Sequence, residues 1–192
     1  MAKNFVINKK FEINHNSPSI EGHTWLRQPD ANSCGYHLVH NAHPYIQIPN
    51  YEGSPEGVFE TMNRLRRQKN KEPLSQNENL LSFDLSRYFH DKGFHVNTIT
   101  SLSIGPITIG HVLAQKEFEL IYSSSNIHYT GIVKNQGNLI YLDSLTRGPS
   151  VISENEAYDK MIAGLGQDHR GKTNIVGIVT RLHKKFDITK SI

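Results

Sequence analysis

The stretch "HYTGIVKNQGNLIYLDS" (128–144) carries two apolar-rich segments on either side of "NQG" (135–137). A glycine in the second central position supplies the positive φ that a two-residue hairpin turn requires. The stretch therefore predicts antiparallel strands over 128–134 and 138–144, turning about residues 136 and 137. That symmetry sets Thr130 opposite Asp143 and His128 opposite Leu145. Side chains alternate along a strand, so His128 shares a face with Thr130 and hence with Asp143, its diagonal neighbour at roughly 7–8 Å by backbone. A slip of one residue would put the two on opposite faces.

Further strands flank this hairpin. "FHVNTI" (94–99), "EFELIYS" (117–123) and "NIVGIVT" (174–180) read as strands, and "PITIGHVLAQ" (106–115) as a short helix. "SENEAYDKMIAGL" (153–165) is a helix with Ser153 as its cap and Glu156 completing a capping box. Upstream the period is helical. A helix is predicted from Ser33 to His43, with Pro44 near its end and Asp30, Asn32 and Ser33 as capping candidates. "SPEGVFETMNRLRRQKN" (54–70) follows with Val58, Met62 and Leu65 as its apolar stripe. "QNENLLSFDLSRYFHDKG" (76–93) turns Leu81, Leu85, Tyr88 and Phe89 inward and stops at Gly93. Helices come first, then a mostly antiparallel sheet with helical insertions. That order predicts an α+β fold.

The 192 residues suit one domain, taken as 21–182. Residues 1–20, rich in Asn, Lys and Ser, read as an N-terminal extension in which "NFVIN" and "KFEIN" alternate as short strands do. Residues 183–192 read as a basic C-terminal tail. No apolar run approaches the ~20 residues of a membrane helix, so no membrane is expected as a partner. The N-terminus lacks the apolar core of a signal peptide. A single cysteine cannot close an intrachain disulfide, which fits a reducing, cytoplasmic compartment. Net charge is only +3. The densest basic run, "RLRRQK" (64–69), falls on an amphipathic helix, where a solvated face is the simpler reading. Nucleic acid is not an expected partner, since no stacking aromatics accompany that charge.

The one cysteine lies in "QPDANSCGYHLVHNA" (28–42), at a predicted helix start. Unpaired N–H groups and the helix dipole stabilise a thiolate there. An imidazole must come from elsewhere in the chain, and the hairpin offers one. His128 would act as the base, with Asp143 holding its tautomer. Gln28, just before the helix, can pair its amide N–H with the backbone N–H of Cys34 to form an oxyanion hole. The order Gln, Cys, His, Asp is that of papain-like proteins. His37 and His40 stand three and six residues after Cys34. Cys34 and His37 could share a zinc ion, but neither CxxC nor HExxH accompanies them, and six residues carry His40 well round the helix. No metal is expected, and His37 and His40 read as supporting residues behind the site. Trp25 reads as core. The glycines of "SIGPITIG" (103–110) lack phosphate-loop spacing. "YSSSN" (122–126) either lines the cleft or is a polar loop.

These two segments resemble the Josephin family of deubiquitinases. "HYTGIVKNQGNLIYLDSLTRGPSVIS" (128–153) is similar to the family's C-terminal signature: a His heading a strand, a short turn, an aromatic-rich strand ending in Asn or Asp then Ser, and a Pro before an "IS" pair. "QPDANSCGYHLVHNA" resembles its first motif, in which Gln precedes a Cys-x-x-His helix start with a downstream Asn. By that matching Gln28, Cys34, His128 and Asp143 take the oxyanion, nucleophile, base and orienting positions. Residues 54–93 would correspond to a helical arm. Tyr129 stands where many members have Trp. Gly35, Leu38 and His40 also depart from the usual pattern, and Asp143 replaces an Asn. The resemblance implies a papain-like Josephin fold, a helical arm packed on the sheet, no cofactor, and ubiquitin or polyubiquitin chains as the partner. A bacterial or viral source would make the protein an effector delivered to a host cytosol. Two alternatives stay open from the residues alone. One is another thiol chemistry on the same frame: a leader peptidase, a glutamine deamidase or a transglutaminase. The other is a ubiquitin-binding module without turnover.

Overall fold

The computed structural model describes residues 24–30, 32–75, 80, 82–100, 104–125, 128–167 and 173–181. The expectations for 1–20, for 183–192, for Leu81 and for Asn126 lie outside them. Three helices come first: α1 (Cys34–Ile46), α2 (Pro55–Arg67) and α3 (Ser82–Asp91). Then follow β1 (Phe94–Ile99), α4 (Gly105–Gln115), β2 (Leu120–Ser125), β3 (His128–Asn135), β4 (Asn138–Asp143), β5 (Ser150–Ile152) and α5 (Glu154–Ile162). The short strands β6 (Gly166–Gln167) and β7 (Thr173–Asn174) precede β8 (Val176–Arg181). The fold is α+β. Its main sheet has six strands in the order β1-β8-β2-β3-β4-β5, and each neighbouring pair is antiparallel.

The central hairpin has the expected register. Thr130 pairs with Asp143 and Asn135 with Asn138. Gln136 (φ 50°) and Gly137 (φ 84°) both have positive φ, the turn whose twist matches flanking strands. Glycine takes that conformation freely, and Gln136 accepts it as the cost of a tight reversal.

Alternation along the strands divides the interior into two cores. Leu120, Tyr122, Tyr129, Val133, Ile140, Leu142 and Val179 pack with α1, α2 and α3. Ile121, Ile132, Leu139, Val176 and Ile178 pack with α4 and α5 on the opposite face. Val58, Met62 and Leu65 are buried on α2, and Leu85, Tyr88 and Phe89 on α3, as the apolar stripes require. Ser54 caps α2 by accepting from Gly57 N–H at 3.2 Å. Ser153 and Glu156 form the capping box of α5. Gly93, at φ 81°, ends the turn after α3. The "RLRRQK" segment is largely solvated, with Arg66 reaching Asp84 of α3 at 2.7 Å.

Some boundaries differ from those expected, for identifiable reasons. Helix α1 runs three residues past His43 and contains Pro44. Burial of Ile46 and a left-handed cap at Gln47, whose N–H reaches His43 O at 2.7 Å, offset the hydrogen bond Pro44 cannot make. Strand β2 begins at Leu120 rather than at 117, and β8 covers 176–181 rather than 174–180. Pairing to β3 and β8 sets those limits, not apolar content. Strands β5, β6 and β7 carry too few residues for a period to show.

Helix α1 lies along β3 at close range. A methyl group at Gly131 would come within 2.8 Å of the Leu38 side chain, and one at Gly35 within 3.4 Å of the Tyr129 ring. At Gly131 only glycine permits this approach, whereas at Gly35 the tight neighbour is the Leu80 side chain, at 2.5 Å. Residues 35 and 38 of the helix thus face 129 and 131 of the strand. This parallel course brings Cys34, the first residue of α1, to the end of β3 where His128 begins.

Candidate active site

Three element ends converge here: the first residue of α1, the first of β3 and the last of β4. His128 Nε2 lies 2.8 Å from Asp143 Oδ1. The same imidazole is hydrogen-bonded to the Cys34 thiol. One ring thus engages both the thiol and the carboxylate. Asp143 Oδ1 also accepts from Leu145 N–H at 3.0 Å, which fixes the carboxylate before the ring meets it. Burial disfavours a charged His128, but the bonds to Asp143 and Cys34 and the charges on both outweigh it, lifting its pKa from 6.5 to about 9. Burial likewise opposes ionisation of Asp143, and His128, the Leu145 N–H and Lys160 together hold its pKa below the usual value. The two shifts reinforce each other: an imidazolium and a carboxylate are both favoured.

Cys34 itself is 1% exposed. It sits at the N-terminus of a helix of 13 residues, where unpaired N–H groups point outward. Ser33 occupies the cap position without a side-chain capping bond. Asp30, three residues earlier, braces the approach to the helix instead. Its Oδ1 accepts from Asn32 N–H at 2.8 Å and from Ser33 N–H at 2.9 Å. The loop is thereby folded back on itself immediately ahead of the cysteine.

Gln28 is buried beside this loop, at 7% exposure. Its Nε2 donates to Asp30 O at 2.7 Å, and its Oε1 accepts from the Ser144 hydroxyl. Its backbone N–H donates to Ser144 O at 3.0 Å. The segment that carries Gln28 is pinned to α1 by Asn41. That fully buried amide accepts from Leu26 N–H at 3.0 Å and donates to Leu26 O at 2.9 Å. Of the four residues singled out in the sequence, Cys34, His128 and Asp143 are linked through the imidazole, and Gln28 is tied to Ser144, the residue after Asp143.

His37 and His40 lie away from this contact. His37 Nδ1 donates to Ser33 O at 2.9 Å. His40 Nε2 faces Thr24 O at 3.2 Å, and Nδ1 faces the Tyr51 hydroxyl at 2.6 Å. A carbonyl only accepts, so Nε2 carries the proton and Nδ1 accepts from Tyr51. Burial lowers the pKa of both rings. They are neutral struts that lock the start of α1 and residue 24 in place. Trp25 is core, with its indole N–H donating to Thr146 O at 3.3 Å. Among the described residues no group of three or more His, Cys, Asp or Glu side chains is placed to hold a metal ion, and no helix is long and apolar enough to cross a membrane.

Sequence reasoning did not assign roles to Ser144, Asp30 or Asn41 in holding Gln28. The "DS" pair closing β4 and the downstream Asn of α1 were the available signals, but a partner 116 positions away in the chain leaves no periodicity to read. No protein-family model matches the chain, and no curated protein matches it either.

Proposed function

We propose that the protein is a cysteine-dependent deubiquitinase of papain-like, Josephin type, which hydrolyses peptide or isopeptide bonds at the C-terminus of ubiquitin. The observation that carries the proposal is the doubly engaged imidazole: His128 is hydrogen-bonded both to the Cys34 thiol and to Asp143. A buried Cys, a His of raised pKa and an orienting carboxylate form the arrangement that thiol acyl transfer requires. The α+β fold, with helices ahead of an antiparallel sheet, is compatible with it.

In this reading His128 takes the proton of the Cys34 thiol and holds it as the imidazolium that Asp143 favours. The thiolate attacks the carbonyl carbon of ubiquitin's terminal glycine. Charge moves to the carbonyl oxygen, which the Cys34 backbone N–H and the Gln28 amide receive. His128 then donates its proton to the leaving lysine amine, and the C–N bond breaks. Neutral His128 next takes a proton from water, which attacks the thioester. The intermediate collapses, the C–S bond breaks to leave the Cys34 thiolate beside the recharged imidazolium, and the released carboxylic acid of ubiquitin gives its proton to solvent. Asp143 keeps the ring oriented throughout and stabilises its charged form. The low exposure of Cys34 favours a slim chain over the sulfur, and glycine at the end of ubiquitin is the slimmest available.

Purified protein incubated with diubiquitin, analysed by intact-mass spectrometry, tests the substrate class. Hydrolysis yields two ubiquitin monomers. An unchanged dimer, with a glutamine converted to glutamate or ammonia lost in a new cross-link, assigns the same thiol to deamidation or transamidation instead. Binding of ubiquitin that survives Cys34→Ala, with no turnover by the wild type, assigns a binding module.

A further inference from the structure

An oxyanion donor works only if its N–H is aimed before charge develops. A glutamine amide is a poor candidate when loose, because it turns about its last torsion and can present oxygen in place of nitrogen. In this protein the amide of Gln28 is held at both ends. Asp30 O can only accept, so it fixes the nitrogen on its side, at 2.7 Å. Ser144 Oγ donates to Oε1 and completes the clamp, and Ser144 O also accepts the Gln28 backbone N–H at 3.0 Å. Nε2 has two hydrogens, and Asp30 takes one. The second has no partner among the described residues. Ser144 is itself buried, and it follows directly after Asp143.

We infer that Ser144 is a positioning residue that fixes the plane of the Gln28 amide and so aims its remaining N–H at the oxyanion. The inference rests on the reading of Cys34 as an acyl-accepting nucleophile, and it deepens that reading. One dipeptide, Asp143-Ser144, then serves both halves of the chemistry: the carboxylate orients the base, and the next hydroxyl orients the oxyanion donor.

The test uses two reagents that need no ubiquitin. p-Nitrophenyl acetate acylates a thiolate through a tetrahedral oxyanion and expels p-nitrophenolate. Iodoacetamide alkylates the same sulfur by displacing iodide, with no oxyanion. Ser144→Ala is expected to slow acylation about tenfold, the scale of one lost hydrogen bond, while leaving alkylation and its pH profile at wild-type values. Ser144→Thr, which keeps the hydroxyl, restores most of the rate. Gln28→Ala with Ser144→Ala is no slower than Gln28→Ala alone, because the two act through one amide. Wild-type acylation in Ser144→Ala overturns the inference. So does an equal loss in both reactions, which would place Ser144 in support of the Cys34–His128 pair or of the fold. A Ser144→Ala protein that does not fold leaves the Ser144→Thr rescue and the Gln28→Ala acylation deficit to decide: a Gln28→Ala protein that acylates normally overturns the inference as well. Failure of the wild type to cleave diubiquitin while both reagents label Cys34 removes the substrate class and leaves the role of Ser144 standing. Labelling by neither reagent removes the nucleophile itself.

Discussion

Asp143 Oδ1 and His128 Nε2 meet at 2.8 Å across a hairpin whose turn lies midway between them in the chain. The two are diagonal neighbours, so the contact is made by side chains closing a gap the backbone leaves open. This relationship predicts a pH signature. The pKa of His128, raised to about 9, means that the charged ring persists well above its unperturbed 6.5. kcat/KM on a ubiquitin substrate should show an alkaline limb near pH 9, where His128 loses the proton that the leaving amine must receive. Asp143→Ala should move that limb to lower pH and lower kcat by roughly 10²-fold. Asp143→Asn keeps an acceptor without the charge and should lose much less rate. The pair also contributes stability through linkage: a raised folded-state pKa gives a contribution fully present below pH 6.5 and lost as pH rises through about 9.

The buried histidines of α1 predict the opposite trend at the acid end. Burial lowers the pKa of His37 and His40, with nearby Asp30 and Glu56 opposing at His37 and Glu56 at His40. The unfolded chain therefore binds protons that the native chain refuses. Stability should be constant above pH 6.5 from these groups and should fall as pH drops below it. Thermal unfolding at pH 7.5 and pH 5 would measure this. Replacing both rings by Gln should flatten that part of the profile even if it lowers stability at neutral pH.

The spacing between α1 and β3 predicts a steric effect on both stability and rate. A methyl at Gly131 would meet Leu38 at 2.8 Å and Leu120 at 2.9 Å. Gly131→Ala should cost about 1–3 kcal/mol by overpacking. The melting temperature would fall by roughly 2–4 °C for each kcal/mol in a chain of this size. Because the helix must lift away from the strand that begins at His128, activity should fall further than the loss of folded protein explains. Activity per folded molecule, measured well below the transition, separates the two effects.

Asn41 should matter out of proportion to its size. Asn41→Ala leaves the half-buried N–H and C=O of Leu26 without this partner, at a cost of about 1 kcal/mol or more. Urea denaturation would show a lower midpoint with an unchanged slope. Asn41→Leu, which fills the space without satisfying either group, should be no better.

What could be read from the chain follows the range of the forces involved. The "NQG" turn and the alternation around it fixed the register that brings His128 and Asp143 to one side, because a hairpin is a local structure with a two-residue period. The apolar stripes of α2 and α3 and the capping box of α5 were equally local. The helix start at Cys34 could be placed to within one residue, and Ser33, one of the expected candidates, is its cap residue; the side-chain bonds, however, come from Asp30 to the N–H groups of Asn32 and Ser33 and not from Ser33 to the helix. An Asx-type turn draws on contacts two and three residues apart in a loop, where no periodic signal exists. Strands β5, β6 and β7 owe their existence to partners and not to composition. The contact between Cys34 and His128 was inferred from chemistry and resemblance. What favours it physically is Gly131, whose missing side chain lets Leu38 of the helix lie close against the strand.

The most direct measurement is the reaction of the wild-type protein with a ubiquitin whose C-terminal carboxylate is replaced by a thiol-reactive electrophile, followed by peptide mapping. The account predicts one adduct per chain, on Cys34, formed at a rate that falls sharply in His128→Ala and vanishes in Cys34→Ala. A native protein that stays unlabelled under conditions that label a known deubiquitinase, or an adduct that forms as fast in His128→Ala, would contradict it.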